Sequence, residues 1–282
     1  MPRLESTKRL LRRWFSSILF FVLLGLILGG LLSILVIPTP NIAILTISGV
    51  FLDQNYADDI LDALQYARES NNIKAVILRI DSPGGGASAT EQIYLDALRL
   101  RQQKPVVVSI GTIAASGGYY VSVASNFIYA EPTSQVGGIG AFVSLPQREE
   151  LDEDVGTTGP YKATGRSRRK AVGHLEMVRQ EFVKAVMSQR GERLKVSEEE
   201  LSRAEIHIGV ESLKYGLIDD IGTRTAAIEK AANLAGLRNY EVVELEIESR
   251  PVSWIFKSSD LEALKSQTGL IPLYYYLYFE PR

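Results

Sequence analysis

Ser116 stands among residues with little side-chain bulk, in the stretch Ala114–Tyr120 that reads Ala-Ala-Ser-Gly-Gly-Tyr-Tyr. The apolar run Pro105–Ile110 precedes it and reads as a buried parallel strand. A serine between small residues at a strand-to-helix junction is open to a substrate, and its neighbours' N–H groups are unshielded. Nucleophilic catalysis uses that geometry. The same residues also suit a tight turn. A second glycine-rich stretch, Ile80–Gly86, follows another apolar strand, Ala75–Ile80. Glycines after a strand and before a helix let N–H groups point at an anion. A Walker-type phosphate loop would end in Gly-Lys-Ser/Thr, whereas Ala87 and Ser88 follow here. The GxGxxG dinucleotide spacing is absent too, because Gly84, Gly85 and Gly86 are consecutive. A plain turn remains open, but an oxyanion hole facing Ser116 accounts for both stretches at once.

Ser82–Gly86, then Ala114–Tyr120, then Val136–Gly140 (Val-Gly-Gly-Ile-Gly) resemble, in that order, the signal peptide peptidase A family. These are membrane-anchored serine proteases with a fold like that of the Clp protease subunit and the crotonases. The similarity runs from Ile42 to Leu237. It implies a Ser–Lys dyad with Ser116 as nucleophile. The stretch Gly159–Gly165 is similar to the family's Gly-x-Tyr-Lys-x-x-Gly, which makes Lys162 the general base. Gly85 and Gly117 become the oxyanion-hole donors, each worth about 3 kcal/mol of barrier.

A lysine deprotonates serine only if burial or neighbouring positive charge brings its pKa toward neutrality. Arg166, Arg168, Arg169 and Lys170 follow closely. The plainer alternative makes Lys162 one of several surface lysines in a basic loop. One departure is visible: Gly138 stands where the family often has a serine that orients the lysine. A backbone carbonyl, water or Ser134 is the expected substitute. The resemblance also implies remnant signal peptides or other membrane-derived peptides as substrates. It implies a ring-like homo-oligomer as well, whose serine and lysine can come from neighbouring subunits.

Other chemistries find little support. The chain has no cysteine, which removes thiol catalysis, disulfides and Cys-ligated zinc. Its two histidines, His174 and His207, have no metal-ligand spacing. His174 reads as a helix-end or surface residue, and His207 as half-buried in a short strand or loop. Asp219 and Asp220 read as a solvated turn. No metal or cofactor is expected. A net charge of −2 gives no reason to expect nucleic acid as a partner.

The elements that must position these residues follow from hydropathy. Lys8, Arg9, Arg12 and Arg13 precede Trp14–Ile37, a run without charge and long enough for a membrane-spanning helix of about 20 residues. No small-residue cleavage site follows it, so it reads as an uncleaved anchor that contacts lipid. The basic side should stay cytoplasmic, placing the catalytic domain outside.

After Pro38–Pro40 strands and helices alternate: strand Ile42–Ile47, helix Asn55–Arg68, strand Ala75–Ile80, helix Thr90–Arg101, strand Val106–Ile110, helix Gly117–Ser122, strand Phe127–Ala130. That is an α/β pattern with a parallel sheet and crossover helices. Thr223 is expected to cap a helix over Arg224–Ala235, and Tyr240–Ile247 to form a last strand. The chain divides into a basic tail (1–13), an anchor (14–37), a peptidase domain (38–248) and an aromatic tail (249–282). The tail suits a membrane interface, a subunit contact or packing on its own domain. Two other functions fit the same fold: a crotonase-like acyl-CoA enzyme, which lacks an assignable glutamate, and a non-catalytic membrane scaffold.

Overall fold

The computed structural model describes residues 14–15, 17–29, 39–51, 54–143, 145, 158–159, 161–162, 165–247 and 274–277. They belong to two units, Met1–Pro40 and Asn41–Arg282. In the first, residues 17–29 are helical and their large apolar side chains are exposed, Phe21 by 67% and Leu26 by 68%. Among the described residues no helix is long and apolar enough to cross a membrane. Residues 16 and 30–37 of the expected span lie outside the described residues.

The second unit is built on β1 (Asn41–Phe51), β2 (Ile73–Gly86) and β3 (Val106–Ala115), which pair in parallel in the order β1-β2-β3. Helices α1 (Gln54–Glu69) and α2 (Ala87–Arg101) make the crossovers, and α3 (Gly117–Ser122) follows β3. β4 (Phe127–Ala130) and β5 (Gln135–Gly137) both pair in parallel with β3, β4 along its first half and β5 along its last residues. The short strand β6 (Phe142–Val143) comes next, and then the long helix α4 (Arg168–Arg190). Further on are α5 (Glu198–Leu201), β7 (Ile206–Ile208), α6 (Gly209–Tyr215), β8 (Asp220–Ile221), α7 (Arg224–Leu234), β9 (Glu241–Leu245) and β10 (Tyr274–Leu277). β8 and β9 extend the parallel sheet on β4 and β1. β7 and β10 are antiparallel additions, so the sheet is mixed.

The strands are apolar on both faces because both are covered. Ala43, Leu45, Val76, Leu78, Val106 and Val108 share one core with Ile60 and Leu64 of α1, Ile93 of α2 and Phe182 of α4. Ile42, Ile44, Ala75, Ile77 and Val107 face Ala227, Ala231 and Ala232 of α7 on the other side. The buried stripe of α1 is Tyr56, Ala57, Ile60, Leu64 and Ala67, at helical spacing, while Tyr66 is exposed.

Several expectations change. β2 and β3 run past their apolar cores, to Gly86 and Ala115, because their small residues still find ladder partners. α4 starts at Arg168, capped by the Ser167 hydroxyl, so Arg168, Arg169 and Lys170 are helical and His174 lies inside the helix. Thr223 occupies the N-cap of α7, but its side chain makes no capping bond. The tail residues 274–277 pack on their own domain as a strand, while the rest of 249–282 lies outside the described residues.

Asp219 is not a solvated turn residue. Its side chain is only 6% exposed and receives two guanidinium bonds from Arg190, both of 2.9 Å. It also accepts from Arg193 at 3.1 Å and from the Ile128 N–H at 2.7 Å. Arg190 in turn donates to the Gly216 carbonyl, which ties α4 to the end of α6. Asp219→Ala would strand a buried arginine, at a cost of about 3–5 kcal/mol. In a domain of this size that is a fall of roughly 10 °C in Tm by thermal unfolding. Asp220→Ala, at an exposed position, should leave Tm nearly unchanged.

Candidate active site

Three parallel strands end together. Ser82 of β2 is level with Ala114 of β3, and Ala115 of β3 is level with Gly137 of β5. Their carboxyl ends carry the three motifs singled out in the sequence. Ligands of open α/β sheets bind at such ends.

Ser116 is the first residue beyond β3 and the N-cap of α3. Its backbone has φ 51° and ψ −119°, and Ala204 is the other non-glycine residue with positive φ among the described residues. Such a conformation is strained for a residue with a Cβ, and it is held by its surroundings. The Ser116 N–H donates to the Gly137 carbonyl at 2.8 Å, and its carbonyl accepts from Tyr120 at 2.9 Å. The sharp turn sends β3 into α3, and Ser116 is not open as its small neighbours suggest: packing of β3 and α3 leaves it 98% covered.

The β2 end is fixed by Ser82, the first residue of its glycine motif. The hydroxyl of Ser82 is fully buried, donates to the Gly49 carbonyl of β1 and accepts from the Gly84 N–H at 3.0 Å. Gly118 of α3 lies directly on the Ser82 carbonyl: a Cβ at Gly118 would come within 2.5 Å of that oxygen. Asp81 joins the same strand to β3, its carboxylate accepting from Thr112 at 3.0 Å and Ile113 at 3.1 Å. Burial pushes the Asp81 carboxyl above the ordinary aspartate range, and the two N–H bonds pull it back. The signal for both residues was the polar pair Asp81-Ser82 at the end of an apolar strand.

Gly85 and Gly117 are both buried, Gly85 as a ladder residue of β2 and Gly117 as the first residue of α3. Gly138 has φ +64°, and a Cβ there would lie 3.3 Å from the Ser116 N atom. The missing side chain therefore borders Ser116 directly. The hydroxyl of Ser134 donates to the Gly111 carbonyl and accepts from the Glu131 N–H at 3.0 Å, closing a local turn.

Lys162 lies in an exposed turn, where its N–H meets the Gly159 carbonyl at 3.4 Å and the Gly165 N–H meets the Tyr161 carbonyl at 2.7 Å. Its neighbours 160, 163 and 164 are outside the described residues. Ser116 is covered and Lys162 is open, so the single chain does not place the two in a common environment. The histidines are engaged elsewhere. His174 meets Arg166 at 2.7 Å, and His207, half-buried in β7 as expected, packs edge-on against Tyr215.

A strained serine at the end of a parallel strand, flanked by two glycine-lined strand ends, is the geometry in which α/β hydrolases present a nucleophile. A sequence profile of the Clp proteases matches residues 42–136, and one of peptidase family S49 matches residues 99–238. A Synechocystis sp. protein, named provisionally as a protease, is 31% identical over 230 residues, which cover 75% of this chain and 82% of that protein. The chain therefore belongs to peptidase family S49, the signal peptide peptidase A family. Protease 4 of Haemophilus influenzae is 30% identical over 225 residues, covering 73% of this chain but 37% of that longer protein. The chloroplastic serine protease SPPA of Arabidopsis thaliana is 31% identical over 213 residues, covering 69% of this chain and 31% of that protein. The chain thus spans about a third of the length of these two relatives.

The contact of Gly118 with Ser82 can be tested without a substrate. Gly118→Ala should destabilise by about 1–3 kcal/mol through overpacking. It should also slow labelling of Ser116 by a fluorophosphonate at least tenfold. Gly173→Ala, with open space around that position, should leave labelling unchanged and raise Tm slightly.

Proposed function

We propose that the chain is a serine endopeptidase in which Ser116 attacks the peptide carbonyl and Lys162 accepts its proton. The lysine then returns that proton to the leaving amine, and water releases the acyl group in a second, mirrored step. The N–H groups of Gly85 and Gly117 receive the developing oxyanion. The observation that carries this reading is the backbone of Ser116, held at positive φ where β2, β3 and β5 end together. Strain of that kind at a strand-to-helix turn is what presents a nucleophile.

Lys162 is exposed in the single chain, and a lysine base requires cover. We assign that cover to a neighbouring copy in a ring-like homo-oligomer. Serine and lysine then meet across the subunit boundary.

The membrane anchor is part of the same reading. The helical residues 17–29 expose Ile18, Phe20, Phe21, Leu26 and Ile27, among other large apolar side chains. A helix apolar on all sides belongs in an apolar medium. With Lys8, Arg9, Arg12 and Arg13 before it, the N-terminus is cytoplasmic and the peptidase domain lies on the far side. A protease held there meets remnant signal peptides and other membrane-derived peptides, which we take as its substrates.

Activity-based labelling and substitution test the assignment together. A fluorophosphonate should label the wild-type chain at Ser116, and Ser116→Ala should abolish both labelling and peptide cleavage with Tm retained. Lys162→Met should abolish turnover, whereas Lys170→Met, in the exposed first turn of α4, should keep most of it. A fully active Lys162→Met protein would remove the lysine from the mechanism. An unlabelled wild-type chain would favour the acyl-CoA or scaffold alternatives.

A further inference from the structure

β3 does not run straight to Ser116. Its ladder to β2 places Ile110 on Ile80 and next Ala114 on Ser82. Between those pairs β2 spends one residue, Asp81, and β3 spends three, Gly111, Thr112 and Ile113. On its other edge β3 changes neighbour at the same place, leaving β4 after Ile110 and joining β5 at Ile113. The bulge therefore sits where β3 passes from one partner strand to the next, just before the strained turn. A regular ladder would put Thr112 on Ser82. It would carry Ser116 two residues farther past the end of β2, roughly 6–7 Å at the rise of a strand. The bulge takes up that length and brings Ser116 back to the glycine motif.

A bulge leaves backbone groups without ladder partners, and those groups need others. Asp81 serves them from β2. Its Oδ1 accepts from both the Thr112 N–H at 3.0 Å and the Ile113 N–H at 3.1 Å. Gly111 lets the carboxylate in: a Cβ there would lie 2.9 Å from Asp81 Oδ2. The Gly111 carbonyl accepts from the Ser134 hydroxyl. We propose that Asp81 is a positioning residue: by holding the Gly111–Ile113 bulge it sets the register at which β3 delivers Ser116 to the ends of β2 and β5. Its effect on a reaction rate rests on the peptidase reading, and its effect on the backbone does not. Because both N–H groups meet one oxygen, a neutral amide oxygen can hold the bulge, and the charge is not required.

The test uses the full chain in detergent and the variants Asp81→Asn, Asp81→Ala and Gly111→Ala. Asparagine keeps the acceptor oxygen, alanine removes it, and a methyl group at position 111 pushes the carboxylate away. Asp81 is half-buried and Thr112 is exposed, so water can serve the freed N–H groups and Tm should fall only slightly. The Thr112, Ile113 and Ser116 amides should exchange faster in Asp81→Ala and Gly111→Ala, and close to the wild-type rate in Asp81→Asn. In Asp81→Ala, fluorophosphonate labelling of Ser116 and kcat for an apolar peptide should fall about tenfold to a hundredfold, with KM nearly unchanged. Asp81→Asn should recover most of the rate. The double variant Asp81→Ala/Gly111→Ala should be no slower than Asp81→Ala, because both changes break one contact. Wild-type exchange or wild-type labelling in Asp81→Ala would overturn the proposal. So would an Asp81→Asn protein as slow as Asp81→Ala, or additive losses in the double variant. If the wild-type chain neither labels nor cleaves, the peptidase reading fails by itself, and the Ser116 amide decides: faster exchange in Asp81→Ala upholds the positioning, and unchanged exchange overturns it.

Discussion

The site depends on one contact in which no side chain fits. The first turn of α3 rests on the carbonyl of Ser82, and the missing Cβ of Gly118 is what allows it. Because β2 fixes where α3 begins, the turn at Ser116 has little freedom, and its positive φ follows from joining β3 to a helix start already in place. The hydroxyl of Ser82 extends the linkage to Gly49 of β1 and Gly84 of β2. Ser116, the glycine edge and two central strands are thus held by short, buried contacts. Preorganisation of this kind lets fixed dipoles stabilise a developing charge without rearrangement.

Much of the fold was legible because its signals are local. The helix Gly117–Ser122 and the strand Phe127–Ala130 appear where the residue pattern puts them, and the α1 and α2 crossovers differ only by a few terminal residues. The glycine edge was misread for an equally physical reason. Glycine and serine have low intrinsic strand preference, so Asp81–Gly86 looks like a turn, yet β1 and β10 supply ladder partners that override it. Asp219 failed in the same manner. Its partner Arg190 lies 29 residues earlier and Ile128 lies 91 residues earlier, so no window of the sequence joins them. An aspartate beside a second aspartate looks solvated until the fold brings an arginine to it.

The site shows the same division. Ser116 is readable because its chemistry depends on its own neighbours, the small residues that permit a sharp turn. Lys162 is singled out only by a family motif, because what lets a lysine stand neutral and accept a proton is burial, and burial is a property of the assembled surroundings. In the single chain that cover is absent at its exposed turn. Gly138 marks the same limit. The motif points to a missing hydroxyl, while the structure adds that the empty position borders the Ser116 N atom and carries a backbone that favours glycine.

A closed sheet has no backbone to offer a ligand, since every N–H and C=O in it is spent on a neighbour. Free backbone arises only where a strand leaves the sheet. β3 leaves β2 just after Ala114, and that departure does two things together. It lifts Ser116 out of the ladder into a strained turn, and it uncovers the edge of Gly84–Gly86 on the same side. The strained turn at Ser116 and the glycine edge that β10 pairs are therefore consequences of one break in one strand pair. An uncovered strand edge invites another strand, and a chain that creates one must cover it or use it. Here β10 covers the edge, with Tyr275, Tyr276 and Leu277 opposite Gly86, Gly85 and Gly84.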